Sequence, residues 1–427
     1  MVSKNKTLIQ VRRGISLFKR NTLFRNSLLL MASTGIVALF GFAFWAVIAH
    51  VYRTNQVGLA TTVLSVVTLL SMISQLGLNN AIVRYLPRAK SPSRYINTST
   101  LFIVVISTVT AIIFLIFIHT LSPKVSFLRD SMSSFFVFIF FVIMSAVNGV
   151  TDGVFIGSRK AQFVFYESFA ASIAKLFSVV IFHNLGSLGI IDSNVVSVGM
   201  SLLVTYFFFF TRFSYKFELK IRFSLLSRMA VFSGGNYVTN LLIAAPLLIL
   251  PTIITNKLGA IQAAYFYIAV TITNFIFVIP QSTSQSLFAE GVHDRDNLTP
   301  FFVHASKIIS RILVPTIIVL LVFSKLVLAI FGRGYAHGSV DILRILLLSS
   351  ILVSANYLLS TYFKIMDLVW TMTLIYFLGT AFIIVSSGVY AKTINEVGYC
   401  WIVGQALICI AQTTVFISRH SRVKNAV

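Results

Sequence analysis

The sequence predicts an all-α polytopic membrane protein with twelve transmembrane helices in two pseudo-symmetric six-helix lobes. Three observations carry that expectation. Of 427 residues, 57% are hydrophobic and only 11% are charged, whereas a soluble domain carries roughly a quarter charged residues. Apolar runs of about 20 residues, enough to cross a bilayer, recur along the whole chain. Two polar stripes also lie 206 residues apart, one in each half of the sequence.

The elements follow in order. Residues 1–25 are basic and polar without an apolar core, so the first span is expected to direct insertion itself. The N-lobe, 26–211, is expected to cross at 26–49, 57–80, 97–120, 132–156, 162–183 and 191–211. A basic linker, 212–229, joins the lobes. The C-lobe, 230–418, is expected to cross at 230–254, 260–288, 307–331, 341–361, 369–391 and 397–418, before a basic tail at 419–427. No segment is long enough for a soluble domain.

The formal net charge of +23 sits at the ends of the apolar runs, which argues against a nucleic-acid partner. Loops on the side of the termini hold 25 Lys and Arg residues; the opposite loops hold 6. That skew places both termini in the cytoplasm of a cell membrane. Cys400 and Cys409 fall in one apolar run and imply no disulfide framework.

The second span carries Thr61, Ser65, Thr68, Ser71, Gln75 and Asn79 within about a 120° sector. The eighth carries Tyr267, Thr271, Asn274, Gln281 and Gln285 in a similar one. At the 206-residue offset Gln75 pairs with Gln281, Asn79 with Gln285 and Arg84 with Glu290. The stripes either bond helix to helix or line a water-filled cavity between the lobes. Arg84 and Glu290 close matching ends of the two spans with opposite sign. Arg84 is a basic anchor at the membrane surface, and the pair is also a candidate cytoplasmic gate.

Two motifs point back to known proteins. FGRGYAHGSVDILRILLLSS at 331–350 resembles the phenylalanine–glycine–x–x–tyrosine turn of bacterial polysaccharide transporters, the Wzx-like lipid-linked oligosaccharide flippases. The opening NSLLLMASTGIVALFGFAFWAVIAHVY, QVGLATTVLS and QLGLNNAIVRYL, with PQSTSQSLFAE later, is similar to the same family in order and spacing. The resemblance implies the MATE-like fold, two lobes around a V-shaped cavity that opens alternately to each side. It implies a polyprenyl-diphosphate-linked oligosaccharide carried to the outer leaflet for cell-surface polysaccharide biosynthesis. The expected partners are that substrate, membrane lipids and polysaccharide polymerase machinery, with no nucleic acid, cofactor or metal.

A diphosphate needs charge-assisted partners. Lys175, deep in the fifth span and on one face with Glu167, either meets that cargo or snorkels to headgroups. Lys307 and Arg311, one turn apart, are cytoplasmic anchors with a secondary claim on the cavity. Asn236 and Asn240 resemble gate-forming positions of the family, on a span that Pro246 and Pro251 bend. Asp152 is expected to pair with Arg159 or Lys160, and Asp341 with Arg344. A cation-coupled multidrug exporter of the same fold is the alternative. The absence of acids from the first and seventh spans disfavours it. A membrane enzyme is disfavoured by short outer loops and by the lack of a metal-ligand cluster, nucleophile motif or phosphate loop.

Overall fold

A backbone surrounded by lipid must satisfy its own polar groups, which leaves helices or closed barrels. In the computed structural model, every regular element among the described residues, 22–213, 215–293 and 298–424, is a helix. Most of the basic segment 1–25 and the end of the tail 419–427 lie outside those residues.

The N-terminal half comprises α1 (Thr22–Val51), α2 (Thr54–Gln75), α3 (Leu78–Tyr85), α4 (Pro92–Ile116), α5 (Met132–Gly157), α6 (Ala161–Ile181) and α7 (Ser187–Arg212). The C-terminal half comprises α8 (Phe223–Leu258), α9 (Ala260–His293), α10 (Leu298–Val322), α11 (Val340–Ile365), α12 (Val369–Val389) and α13 (Ile394–Lys424). Eleven of them, α2 and α4 to α13, are long and apolar enough to cross a membrane; α1 adds a described apolar stretch, Val37–Val51. Large apolar side chains such as Phe177, Ile181, Leu203 and Val322 point outward, two-thirds exposed or more. In water such a surface would be costly; in a bilayer it is the lipid-facing belt.

In the N-terminal half α6 packs on α1 and α7, and α5 on α2 and α4. In the C-terminal half α11 packs on α9 and α13, and α12 on α8 and α13. The halves meet where α2 crosses α8 and α9. At the end far from the linker a Cβ on Gly58 would overlap the Ala260 backbone, so only glycine permits this approach. One turn away Thr62 and Thr255 share a hydroxyl hydrogen bond of 2.5 Å. Nearer the linker, the Tyr237 hydroxyl donates to the Met72 and Ile73 carbonyls at 2.8 and 2.9 Å.

Pro246 and Pro251 lie inside α8. A proline removes the donor for the carbonyl four residues earlier. Pro246 thus frees the Leu242 carbonyl, and Thr380 of α12 donates to it at 2.8 Å.

Three expectations change. The second span does not run unbroken to residue 80. It stops at Gln75, where Leu76 and Gly77 both take left-handed φ, 45° and 75°, before α3 restarts. Glycine accepts that conformation freely, and the leucine adopts it at roughly 1–2 kcal/mol. The linker is shorter than 212–229, because α8 already begins at Phe223. It is also tied down: buried Tyr215 bonds the Asn97 side chain, Asn97 Nδ2 donates to the Lys216 carbonyl at 2.7 Å, and Lys216 N–H donates to Ser93 Oγ. Burial pushes the Tyr215 phenol above its ordinary value. Finally, Arg344 Nε donates to Ser324 Oγ at 3.2 Å, where a pair with Asp341 was expected.

Candidate functional site

Two of the polar hollows among the described residues hold polar residues singled out in the sequence. The larger, about 780 Å³, lies at the inter-half seam towards the linker end. α8 supplies Asn236 and Asn240, and α9 supplies Gln281, Ser284 and Gln285. In each case the spacing of four residues puts the amides on one helical face. α11 adds Ser360, Thr361 and Lys364, and the turn after it adds Asp367. The N-terminal half contributes Asn80. This wall offers amides and hydroxyls able to bond a hydroxyl-rich ligand, with one ammonium for an anion. The Ser284 hydroxyl is buried with no hydrogen-bond partner, leaving one group for an incoming molecule.

The structure therefore gathers Asn236, Asn240, Gln281 and Gln285 in one wall. It does not gather Gln75 or Asn79 with them. Gln75 is half-buried, its side-chain nitrogen so close to Gly149 of α5 that a Cβ there would collide. The Asn79 side chain accepts from the Asn80 N–H at 2.8 Å, and the Asn79 backbone carbonyl lies against Gly153. Gly149, Gly153 and Gly157 form a small-residue stripe into which the end of α2 and α3 pack. The break at Leu76 resets the helical phase, so Asn80, outside the sequence stripe, reaches the cavity. Arg311 is exposed on α10 and is not among the lining residues. Arg84 is exposed, 5.9 Å from the Tyr85 ring, whose hydroxyl reaches the Arg228 carbonyl at 3.5 Å; Glu290 is exposed near the end of α9. Sequence reasoning missed Lys364 and Asp367. Lys364 counted there only as a loop cation, although it directly follows the apolar run of α11.

The smaller hollow, about 210 Å³, is a slot inside the N-terminal half between α1, α5, α6 and α7. Its polar lining includes Asn148, Asp152, Glu167, Ser172, Lys175 and Ser201. Glu167 and Lys175, two turns apart on α6, both face it. The Lys175 ammonium rests 4.0 Å from the Phe44 ring centroid, a cation–π contact. Thr205 donates to the Glu167 carboxylate, and Ser201 donates to Asn148 Oδ1 at 2.8 Å. Asp152 lines this slot with Glu167, and no ion pair joins it to Lys160 among the described residues. Lys160 lies instead 4.2 Å from the Phe213 ring centroid. The physical reason is direction: α5 turns Asp152 into the half, while Lys160 sits past the helix end beside an aromatic cluster. Among the described residues no group of three acidic, His or Cys side chains could hold a metal ion.

Comparison with known structures shows the fold. The chain is similar to an inward-facing multidrug resistance MATE family transporter of the MOP superfamily, with a TM-score of 0.68 and 16% identity over 91% of this chain and 95% of that one. It is similar to the lipid II flippase MurJ in an inward closed conformation, with a TM-score of 0.71 and 11% identity over 91% and 87%. A MOP superfamily transporter from Pyrococcus furiosus aligns with a TM-score of 0.60 and 15% identity over 94% and 95%. No curated protein matches the sequence. The model of one family, described as polysaccharide biosynthesis protein, matches residues 23–285. That match covers more than half of an all-helical, membrane-spanning chain with the MATE and MurJ architecture, and the chain belongs to this polysaccharide biosynthesis family.

Proposed function

We propose that the protein is a flippase that moves a polyprenyl-diphosphate-linked oligosaccharide from the cytoplasmic to the outer leaflet by alternating access. The observation that carries this reading is the seam cavity, rich in amides and hydroxyls with Lys364 at its rim. Sugar hydroxyls pair with such groups, and a diphosphate pairs with ammonium. The family match and the shared fold with a lipid II flippase support it. In this reading six helices form each lobe, 26–211 and 230–418, both termini are cytoplasmic, and the cavity faces the cytoplasm. Asn236, Asn240, Gln281 and Gln285 then bind glycan, Lys175 or Lys364 meets the diphosphate, and Arg84 and Glu290 approach when the cavity turns outward.

The test is flipping of a fluorescent polyprenyl-diphosphate sugar in proteoliposomes. Transfer above protein-free vesicles is expected, and no transfer across several glycans would overturn the reading. Export of cationic dyes by the same vesicles would favour the multidrug alternative. For the gate, charge reversal at Arg84 or at Glu290 should each slow flipping, and the double swap should restore it. A double swap no better than either single removes the pairing.

A further inference from the structure

A third hollow, of about 400 Å³, opens at the linker end of the N-terminal half, outside both hollows described above. Chain reversals converge there. The turn after α3 supplies Pro87, the start of α4 Ser93, the turn after α5 Ser158 and Arg159, and the linker Phe213 and Tyr215. The walls are held in place. Ser93 Oγ accepts from the Lys216 N–H at 3.1 Å, and buried Tyr215 bonds Asn97. A Cβ on Gly157 would stand 3.1 Å from the Val83 Cα, so α5 ends tight against α3.

Arg159 is the unusual residue. α5 ends in a Schellman arrangement: the Arg159 N–H donates to the Ile156 carbonyl and the Lys160 N–H to the Phe155 carbonyl, both at 3.0 Å. The residue in the place of Arg159 takes left-handed φ, here 56°, and glycine usually fills it. A side chain there strains the backbone, and such strain points to a use for the exposed guanidinium. The surroundings are basic. Segments 84–97, 157–166 and 212–217, which build the pocket and its rim, contain eight Lys and Arg and no Asp or Glu. The Lys160 ammonium stands 4.2 Å from the ring centroid of Phe213, a wall of the pocket. Glu218, the next acid along the linker, is paired with Arg222. Such a site suits a phosphate.

Beside the pocket the surface turns apolar. The Phe210 ring, 5.5 Å from that of Tyr215, belongs to a side chain 58% exposed, and Phe217, two residues past Tyr215, is 60% exposed. A basic pocket bordered by outward-facing rings fits an amphiphile with phosphate at its head; a water-soluble anion would leave the rings unused. We propose that this pocket binds the phosphate of an anionic phospholipid in the leaflet at the linker end. Arg159 is its principal contact and Lys160 its second, and the acyl chains lie along Phe210. The bound lipid ties the start of the linker to the turns after α3 and α5. The proposal uses nothing of the seam cavity and stands whether or not the protein flips lipid-linked sugars.

The experiment is native mass spectrometry of the full-length chain, released from detergent micelles holding equimolar phosphatidylglycerol and phosphatidylcholine with identical acyl chains. The wild type is expected to retain one phosphatidylglycerol in preference to phosphatidylcholine. Arg159→Gly and Arg159→Gln should each lower that retention roughly 10-fold or more, the loss of a charge-assisted hydrogen bond. Thermal unfolding of Arg159→Gly in lipid-free detergent should hold or rise, because glycine accepts the left-handed turn without strain. Arg333→Gln, which removes an exposed charge from the C-terminal half, should leave retention at the wild-type level. Equal retention of the two lipids, wild-type retention in either Arg159 variant, or an equal fall in Arg333→Gln would each overturn the proposal. So would a lower unfolding temperature in Arg159→Gly, which would make Arg159 a folding residue. Displacement of the phospholipid by equimolar inorganic phosphate or polyprenyl phosphate would overturn it in favour of a soluble anion or of the cargo lipid.

Discussion

The two halves of the molecule use different chemistry in their interiors. The N-terminal slot concentrates charge: Asp152, Glu167 and Lys175 share about 210 Å³. Apart from Lys364 and Asp367 at the seam cavity, the C-terminal interior is tied together by neutral polar groups. Asn356 Nδ2 donates to Gln405 Oε1 at 2.8 Å, Gln412 donates to Ser360 Oγ at 3.1 Å, Ser360 contacts the Tyr376 hydroxyl at 2.9 Å, and Thr239 pairs with Thr373 at 2.6 Å. The offset that aligns α2 with α9 sets Thr373 opposite Glu167 and Ala381 opposite Lys175. Related positions thus carry ions in one half and hydroxyl or methyl groups in the other. Hydrogen bonds between neutral groups can fasten helices in lipid at modest cost, whereas a buried charge is retained where it does something.

That contrast can be broken by substitution. Lys175→Met should lower lipid-linked sugar flipping by roughly 10- to 100-fold, the value of a charge-assisted hydrogen bond to an anion. A wild-type rate would return the slot to a packing role. Asn356→Ala should act on stability instead, costing about 1–2 kcal/mol because two bonds to Gln405 disappear. Thermal unfolding in detergent reads this, and flipping per folded molecule should hold. Gln285→Ala in the amide-rich cavity wall should raise the apparent KM for the probe by roughly 2- to 10-fold, as for one neutral hydrogen bond, with the maximal rate retained. A collapse of the maximal rate would show that this wall does more than bind.

The smallest effect belongs to the exposed linker. Arg222 NH2 lies 2.8 Å from Glu218, and its guanidinium holds the Glu218 carboxyl below the usual carboxylate range. A depressed folded-state pKa means a contribution present at neutral pH and lost as pH falls through the acidic range. Glu218→Gln should remove that slope from an unfolding-versus-pH profile and leave neutral-pH flipping at the wild-type rate. Any larger change would mark the linker as part of the moving machinery.

Much of the fold was legible because lipid imposes a one-dimensional rule. Apolar runs such as 132–156 and 369–391 became α5 and α12 with ends moved by only a few residues. The cavity was legible in part. Asn236 with Asn240 and Gln281 with Gln285 each lie one turn apart on one uninterrupted helix, so their shared face follows from helical period alone. Gln75 and Asn79 share that spacing across the break at Leu76 and Gly77, where the period no longer applies. Lys364 was missed because a lysine after an apolar run carries the same sequence signal whether it anchors in headgroups or turns into a cavity.

The sequence by itself determined the all-helical membrane class, the approximate spans and the order of the family's motifs. These depend on local hydropathy, helical period and residue spacing. Tertiary structure decided which polar groups meet. Asp152 joined Glu167 in the slot while Lys160 met Phe213, Gln75 met Gly149 rather than the cavity, and Thr380 capped the carbonyl that Pro246 freed. Such pairings depend on the rotation and approach of helices far apart in the chain, set by close contacts such as Gly58 on Ala260. A hydropathy pattern assigns a residue its depth in the membrane and leaves its neighbour across the helix interface open.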